Sequence, residues 1–451
     1  MAVPAPRRRP LQQRASWITW RSLAAGAVLP LVVGPRALAD GGLAPLATAG
    51  VERGGLYLAW DFHTGSREGA VGRLEHIRDE AIATVGASGP AYTITSVEEA
   101  ADGACAAGET HIHKQIEGTF TAPVYTEPMG HDDLDKPPAL LTRGDDGLPY
   151  ANGTTEVDFL IRIPCSLALD PHPGYLMQYG HGLLGSHTEV RSGWLAEFID
   201  THGIVAFAVS WTGMKTEDVG AISIMVVSNP DDFASVPERS HQGMVEQVLA
   251  MKMMRGAMAS DPHLSVGDVA LIDPDDPDLR GYYGISQGGI MGAAYHALSP
   301  DIERAVLGVG GMPYSVLLPR SHDFDPFYKI FDVMYADHRE RMLIIAGLLE
   351  QLWDSTDPTA WSHDITDPPD GVGDKRVLMQ VAIRDKQVST LGAHIQARTI
   401  DAAFVTPQTR AIWGIEEREA PFEGNALVEW TYTDLPPEEQ EAAPPADEVD
   451  G

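Results

Sequence analysis

One short segment restricts the fold of this chain more than any other. Residues 279–292 read LRGYYGISQGGIMG, a strand-like run followed by a sharp turn and a helix of small residues. Gly284 and Gly288 lie two positions before and two after Ser286, where a tight strand-to-helix turn leaves no room for side chains. Such a turn exposes the serine hydroxyl beside the first N–H groups of the helix. The segment therefore predicts Ser286 as a nucleophile, and a Gly-rich structural turn is the alternative.

A second glycine-rich loop follows an earlier predicted strand. Residues 178–185 read QYGHGLLG and come directly after the strand-like run 175–179. Glycines in such a loop let backbone N–H groups point into a site without side-chain obstruction. We predict an oxyanion hole formed by the backbone N–H groups of Leu183 and Gln287. A plain Gly-rich turn is the alternative.

The type and order of the predicted elements change along the chain. Up to about residue 163, most runs alternate as strands do, whereas from residue 174 onward strands alternate with longer helical segments, which is typical of a mainly parallel sheet. The predicted strands are 56–62, 92–97, 114–125, 155–163, 175–179, 204–210, 281–285, 304–309, 376–383 and 426–432. The predicted helices are 72–85, about 190–201, 236–259, 287–298 and 390–403. The apolar stretch at about 312–370 is expected to be a helical cap over the carboxyl edge of the sheet, or an ordinary pair of packing helices.

The motifs GHGLLG and GISQGG together resemble those of bacterial lipases and esterases of the α/β-hydrolase superfamily. The resemblance covers roughly residues 115–433, and LYLAWDF at 56–62 resembles a set of exported bacterial hydrolases. It implies an α/β-hydrolase fold, with a mainly parallel sheet, flanking helices, a β-rich N-terminal part and a cap insertion. It also implies a serine carboxylic-ester hydrolase that forms an acyl-enzyme on Ser286, acts on a small-molecule ester or lipid and needs no cofactor.

The remaining catalytic groups are predicted from their order in this fold, which is serine, acid, histidine. Asp385 follows the predicted strand 376–383 and is expected to orient a histidine; a turn or helix-cap role is the alternative. His394 is the only histidine after Asp385, and we predict it as the base although it falls within a helical run. Other candidates precede the acid: His181, His187, His241, His322, His338 and His363. Of these, His181 is expected to brace the glycine-rich loop.

Charge and cysteine content exclude several classes of partner. The 451-residue chain has a formal net charge of −32, which disfavours nucleic acid and anionic membrane surfaces because both are bound by clustered Lys and Arg. Its two cysteines, Cys105 and Cys165, exclude a Cys-rich zinc site and either pair in an exported protein or stay buried as thiols. We predict no metal, because the acidic runs at 273–278 and 367–374 lack the spacing of a calcium loop.

The two ends differ from the rest of the chain. Residues 1–39 combine arginines, an apolar run at 22–34 and a small-residue cleavage pattern, so we predict a signal peptide and export; a buried helix is the alternative. Residues 40–113 are predicted as an N-terminal α+β extension and residues 114–433 as the hydrolase domain. Residues 434–451 are predicted as an acidic disordered tail. No stable membrane insertion is expected, and the oligomeric state is not predicted.

Two other functions fit the same fold. One is acyl transfer to an acceptor other than water. The other is a non-catalytic protein that kept the elbow and lost its histidine, because no histidine follows the last predicted strand, 426–432. The retention of both glycine-rich loops disfavours the non-catalytic alternative.

Overall fold

A long mixed β-sheet runs through the molecule and carries the candidate site on one edge. The computed structural model describes residues 48–50, 65–127, 140–228, 230–334, 337–338, 341 and 344–431. Apart from residues 48–50, these belong to one compact unit that begins at Gly65. The predicted signal peptide, the strand at 56–62 and the acidic tail lie outside the described residues.

The strands, numbered along the chain, are β1 Tyr92–Glu99, β2 Ile112–Val124, β3 Gly153–Pro164, β4 Tyr175–Gly180, β5 Ile204–Val209, β6 Ser265–Val266, β7 Val269–Ala270, β8 Arg280–Ile285, β9 Arg304–Gly308, β10 Arg376–Ala382, β11 Ala403–Thr406, β12 Glu417–Glu419 and β13 Ala426–Trp430. Among the described residues, eleven of them form one sheet in the order β1-β2-β3-β5-β4-β8-β9-β10-β13-β11-β12, and β6 and β7 form a separate pair.

The α-helices of the described residues are α1 Arg67–Val85, α2 Ala104–Ala107, α3 Cys165–Leu169, α4 Gly193–His202, α5 Val219–Ser228, α6 Ser235–Arg255, α7 Gln287–Leu298, α8 Tyr314–Leu317, α9 Asp325–Met334, α10 Glu350–Trp353, α11 Pro358–Thr366 and α12 Thr390–Thr399. A π-helical segment, Ile344–Leu349, precedes α10. Several helices begin at side-chain caps, such as Ser66 before α1 and Ser389 before α12.

Strand direction divides the sheet into two parts. From β1 to β5 the neighbours are antiparallel. From β5 through β4, β8, β9, β10, β13 and β11 to β12 they are parallel. The parallel strands therefore end on one common edge of the sheet, which is where open α/β sheets bind ligands. The predicted fold class, a mainly parallel sheet with flanking helices, is confirmed.

Helices cover both faces of this sheet. Alternate residues of β5 show the division, because Phe207 and Val209 pack in the large core with α1, α6 and α7, whereas Ala206 and Ala208 pack in a second core with α4. Every residue of α7 is buried. Its glycines and alanines allow the helix to lie close to the strands, and this fixes the position of Ser286 at its start.

The bounds predicted for the central strands and for α7 are close to those observed, whereas several short or peripheral elements were not predicted. The predicted helix 287–298 has its predicted bounds, and the strands at 175–179, 281–285 and 304–309 differ by at most one residue at either end. The short strands β11 and β12 and helix α5 were not predicted. The sheet also receives β13 between β10 and β11, so the last strand of the chain is not the last strand of the sheet.

Two further features bear on the environment of the protein. Cys105 and Cys165 form a disulfide between α2 and α3, with their Cα atoms 5.2 Å apart. In the part of the chain that the structure describes, no helix combines the length and the apolar character that crossing a bilayer requires.

Candidate active site

Ser286 occupies a strained turn between β8 and α7. Its backbone has φ 57° and ψ −118°, a conformation that residues other than glycine rarely adopt. A Cβ atom at Gly284 would overlap the carbonyl oxygen of Gly288, and one at Gly288 would overlap the carbonyl oxygen of Gly180. The two glycines therefore permit a turn so tight that it also packs against the end of β4. The segment is a strand–turn–helix elbow of the kind its sequence predicted.

The second glycine-rich loop lies directly beside this elbow. Gly180 of β4 is in register with Gly284 of β8, and a Cβ atom built at Gly182 would lie 4.0 Å from the Cβ of Ser286. The structure thus places the residue before Leu183 beside Ser286, and Gln287 follows the serine directly. As the first residue of α7, Gln287 has no helical acceptor for its N–H. Among the described residues, the N–H of Leu183 has no protein acceptor either.

Hydrogen bonds hold the glycine-rich loop in this position. The N–H of Gly182 donates to Oε2 of Glu189 at 2.9 Å. Thr216 holds the other end, because its N–H donates to the carbonyl oxygen of Gly185 at 3.0 Å and its hydroxyl to that of Leu184 at 2.9 Å. Leu184 itself has φ 49°. The loop is therefore fixed by side chains that sequence patterns did not single out.

His181 braces the loop from inside, as the sequence predicted. Its Nε2 accepts the N–H of Trp211 at 2.8 Å, and its Nδ1 donates to the carbonyl oxygen of Gly182 at 2.8 Å. Burial lowers the pKa of His181 to about 4. The ring is therefore neutral at neutral pH, and both of its nitrogens are occupied.

Asp385 lies at the carboxyl end of β10, two strands from the elbow. Its Oδ1 accepts the N–H groups of Gln387 at 2.7 Å and Val388 at 2.9 Å. Among the described residues, Oδ2 has no hydrogen-bond partner. The structure thus orients Asp385 through its own turn and leaves one carboxylate oxygen available to a histidine.

Among the described residues, His394 hydrogen bonds to Glu429 and not to Ser286. Its Nε2 lies 2.6 Å from Oε1 of Glu429, which Arg410 also contacts at 2.9 Å. Burial alone would raise the pKa of Glu429, but its hydrogen bonds from His394 and Arg410 lower the pKa to about 2. In the sheet register, Glu429 lies three strands from the level of Ser286, about 14 Å at the usual strand spacing. Nor does Ser286 Oγ hydrogen bond to any other described residue, so the role of His394 as base stays a prediction.

The other candidate histidines occupy different surroundings. Nδ1 of His187 lies 3.0 Å from the Ser210 hydroxyl, His241 is buried on α6, and His363 lies on α11. The backbone N–H of His322 donates to the carbonyl oxygen of Lys386, the residue after Asp385, at 2.8 Å. Its ring, however, pairs with Asp325 at 2.8 Å.

Sequence reasoning missed two carboxylates linked to the elbow, of which Asp357 is buried and Glu350 is half-buried. Asp357 accepts the N–H of Tyr314 at 2.8 Å and Glu350 that of Ser315 at 2.8 Å, while the Tyr314 hydroxyl accepts a hydrogen bond from the Gln287 side chain at 2.6 Å. Burial, and then the proximity of Asp357, raises the pKa of Glu350 to about 7; burial raises that of Asp357 to about 6. The pair therefore holds the start of α8, whose Tyr314 contacts the residue after Ser286.

An apolar cavity of about 590 Å³ opens beside the glycine-rich loop. Leu183 and Leu184 line one side of it, and the remaining wall comes mostly from α5, α6 and residues 318–353. Among the described residues, no group of three or more His, Cys, Asp or Glu side chains is placed to hold a metal ion. The chemistry that this arrangement can carry out is attack by the Ser286 hydroxyl on a carbonyl carbon whose oxygen receives two backbone N–H groups.

Comparisons with known proteins give distant structural similarity only. No family model matches the chain, and no curated protein sequence matches it. Among solved structures, acetyl xylan esterase 1 from Thermoanaerobacterium sp. JW/SL YS485 is 11% identical, with a TM-score of 0.45 over 82% of this chain and 93% of that one. A CE15 glucuronoyl esterase from Teredinibacter turnerae T7901 is 10% identical, with a TM-score of 0.38 over 79% and 77%. A dienelactone hydrolase, described as putative, from Klebsiella pneumoniae is 11% identical, with a TM-score of 0.34 over 63% and 82%.

Proposed function

We propose that this protein is a serine hydrolase that cleaves a carboxylic ester through an acyl-enzyme on Ser286. The observation that carries the proposal is the strained φ of Ser286, in an elbow packed against the loop of Leu183. Such strain is costly and persists where the surrounding structure imposes it. Here the glycines of two separate segments impose it, and the half-buried serine lies beside the loop that carries the proposed donor Leu183.

In the proposed reaction, the Ser286 hydroxyl adds to the ester carbonyl carbon while a histidine takes its proton. The N–H groups of Leu183 and Gln287 stabilise the negative oxygen of the tetrahedral intermediate. The alcohol leaves with that proton, and water then attacks the acyl-enzyme and regenerates the serine. Asp385 orients the histidine through its carboxylate, and His394 serves as the base only after its imidazole has left Glu429.

The direct test is hydrolysis of p-nitrophenyl acetate by the wild type and by Ser286→Ala. We expect Ser286→Ala to lower kcat/KM by about 10⁴-fold or more, because the acyl-enzyme can no longer form. The matched control is Ser265→Ala, which removes a hydroxyl bonded to Pro262 in the separate β6–β7 pair. Equal rates for wild type and Ser286→Ala would overturn the proposal.

A second candidate is a non-catalytic protein of the same fold. The observation that favours it is that Ser286 Oγ has no hydrogen-bond partner among the described residues, while His394 is held by Glu429. A folded wild type that neither hydrolyses p-nitrophenyl esters nor reacts with a serine-directed probe would support this candidate. Acyl transfer is distinguished by product analysis in the presence of an alcohol acceptor.

We also propose that the protein is exported. The disulfide between Cys105 and Cys165 supports this, because such bonds persist in oxidising compartments. Alkylation with iodoacetamide under denaturing, non-reducing conditions should leave both cysteines of the protein isolated from its natural source unmodified, as measured by mass spectrometry. Alkylation of both thiols would contradict export.

A further inference from the structure

The wall of the apolar cavity next to Leu183 contains few polar side chains. All of its lining residues are apolar except Ser321, Asp323 and Gln351. Its volume of about 590 Å³ falls within the range of pockets that enclose small organic ligands. A cavity of this character favours a neutral hydrocarbon group over a charged one, because a charge would lose its hydration without gaining a partner.

The cavity is joined to the proposed reaction centre by one residue. Leu183 contributes its side chain, 39% exposed, to the cavity wall, while its backbone N–H is the proposed oxyanion donor. The preceding residue, Gly182, lies against the Cβ of Ser286. Ser286 itself is not among the lining residues, so Leu183 is the link through which an acyl group bound at Ser286 would reach the cavity.

The far wall is built largely by the cap. The ring centroid of Phe324 lies 5.7 Å from that of Phe327 and 6.3 Å from that of Phe331. The ring centroids of Trp353 and Phe233 are 5.1 Å apart. Buried aromatic rings of this kind bind aliphatic chains through contact area rather than hydrogen bonds. The one charged side chain of the lining, Asp323, is an anion and disfavours a carboxylate-bearing acyl group.

From this arrangement we infer that the cavity is the acyl-binding site and that the substrates are esters of neutral, medium-chain aliphatic acids. The inference rests on the proposed function and specifies its substrate class. Each methylene group moved from water into the cavity adds about 4-fold to kcat/KM at most. The expected preference for p-nitrophenyl octanoate over p-nitrophenyl butyrate is therefore about 10- to 100-fold.

The test is the ratio of kcat/KM for the octanoate and acetate esters in three variants. Ile222→Trp fills part of the cavity from α5 and should lower this ratio by about 10-fold or more. Leu352→Asp places a carboxylate at a lining position that is 43% exposed, so it lowers the ratio without burying a charge in the core. Val333→Trp, on α9 but 86% exposed and outside the lining, should leave the ratio unchanged.

A binding measurement separates failure of this inference from failure of catalysis. Calorimetric titration of Ser286→Ala with methyl octanoate should show binding at least 10-fold tighter than with methyl acetate, and Ile222→Trp in the same background should abolish the difference. Equal binding of the two esters, or an octanoate-to-acetate ratio unchanged by both Ile222→Trp and Leu352→Asp, would overturn the assignment of the cavity. Loss of hydrolysis with retained octanoate binding would instead overturn the proposed function alone.

Discussion

The two halves of the candidate site are built in different ways. On the nucleophile side, Gly284 and Gly288 lie where segments of the chain meet through backbone atoms, and Glu189 and Thr216 fix the adjacent loop. On the acid and base side, Asp385 is held by its own turn and His394 is held by Glu429, an ion-pair partner from another strand. Glycines are required where the segments of the nucleophile half meet, because a Cβ atom would overlap the neighbouring backbone. The other half depends on hydrogen bonds made by the side chains of Asp385 and His394.

The largest effect that tests this contrast is expected at Asp385. Asp385→Asn keeps the Oδ1 acceptor that the amides of Gln387 and Val388 use, so the turn should persist, but it removes the charge. We expect kcat for p-nitrophenyl butyrate to fall by about 10⁴-fold if Asp385 orients the base. Asp374→Asn, an exposed change just before the opposite end of β10, is the control. A loss below 10-fold in Asp385→Asn would remove Asp385 from the proposed triad.

A smaller effect is expected from the side chain that holds the glycine-rich loop. Glu189→Ala removes the acceptor of the Gly182 N–H and should lower kcat/KM by about 100-fold, close to the loss of one oxyanion donor. Glu189→Gln retains an acceptor oxygen and should restore most of the rate. The exposed Glu197→Ala on α4 controls for loss of a nearby carboxylate. If Glu189→Gln is as slow as Glu189→Ala, the loop does not depend on this hydrogen bond.

Substitution of His394 is expected to lower the stability of the protein, whether or not His394 is the base. His394→Ala removes one of the side chains that hydrogen bond to buried Glu429, while Arg410 remains, so the melting temperature should fall by about 4 °C at pH 7. The hydrolysis rate of the same variant decides its second role. A loss of about 10⁴-fold would support His394 as the base, and a loss below 10-fold would confine it to the Glu429 cluster.

The smallest predicted effect lies between the cap and the elbow. Since the folded-state pKa of Glu350 is raised to about 7 from its ordinary 4.5, its contribution to stability is present below pH 4.5 and is lost as the pH rises through 7. Glu350→Gln cannot titrate, so its melting temperature relative to wild type should rise by about 2 °C between pH 5 and pH 8. The exposed Glu417→Gln should show no such trend. A constant difference across this pH range would mean that Glu350 is not protonated in the folded protein.

The same contrast explains what the sequence could predict. The elbow and the strands around it depend on local patterns, namely two glycines around Ser286 and apolar runs of strand length, and their bounds came close to those observed. The partners of His394 depend on contacts between residues 394, 410 and 429, and no local pattern indicates them. The raised pKa values of Glu350 and Asp357 likewise arise from tertiary burial within a segment that the sequence described only as an apolar cap.

Covalent labelling by a fluorophosphonate probe tests whether Ser286 is an activated nucleophile. We expect labelling of the wild type and of Ser265→Ala, with the adduct located on Ser286 by peptide mass spectrometry, and no labelling of Ser286→Ala. A folded wild type that stays unlabelled, or labelling that persists in Ser286→Ala, would contradict that role of Ser286.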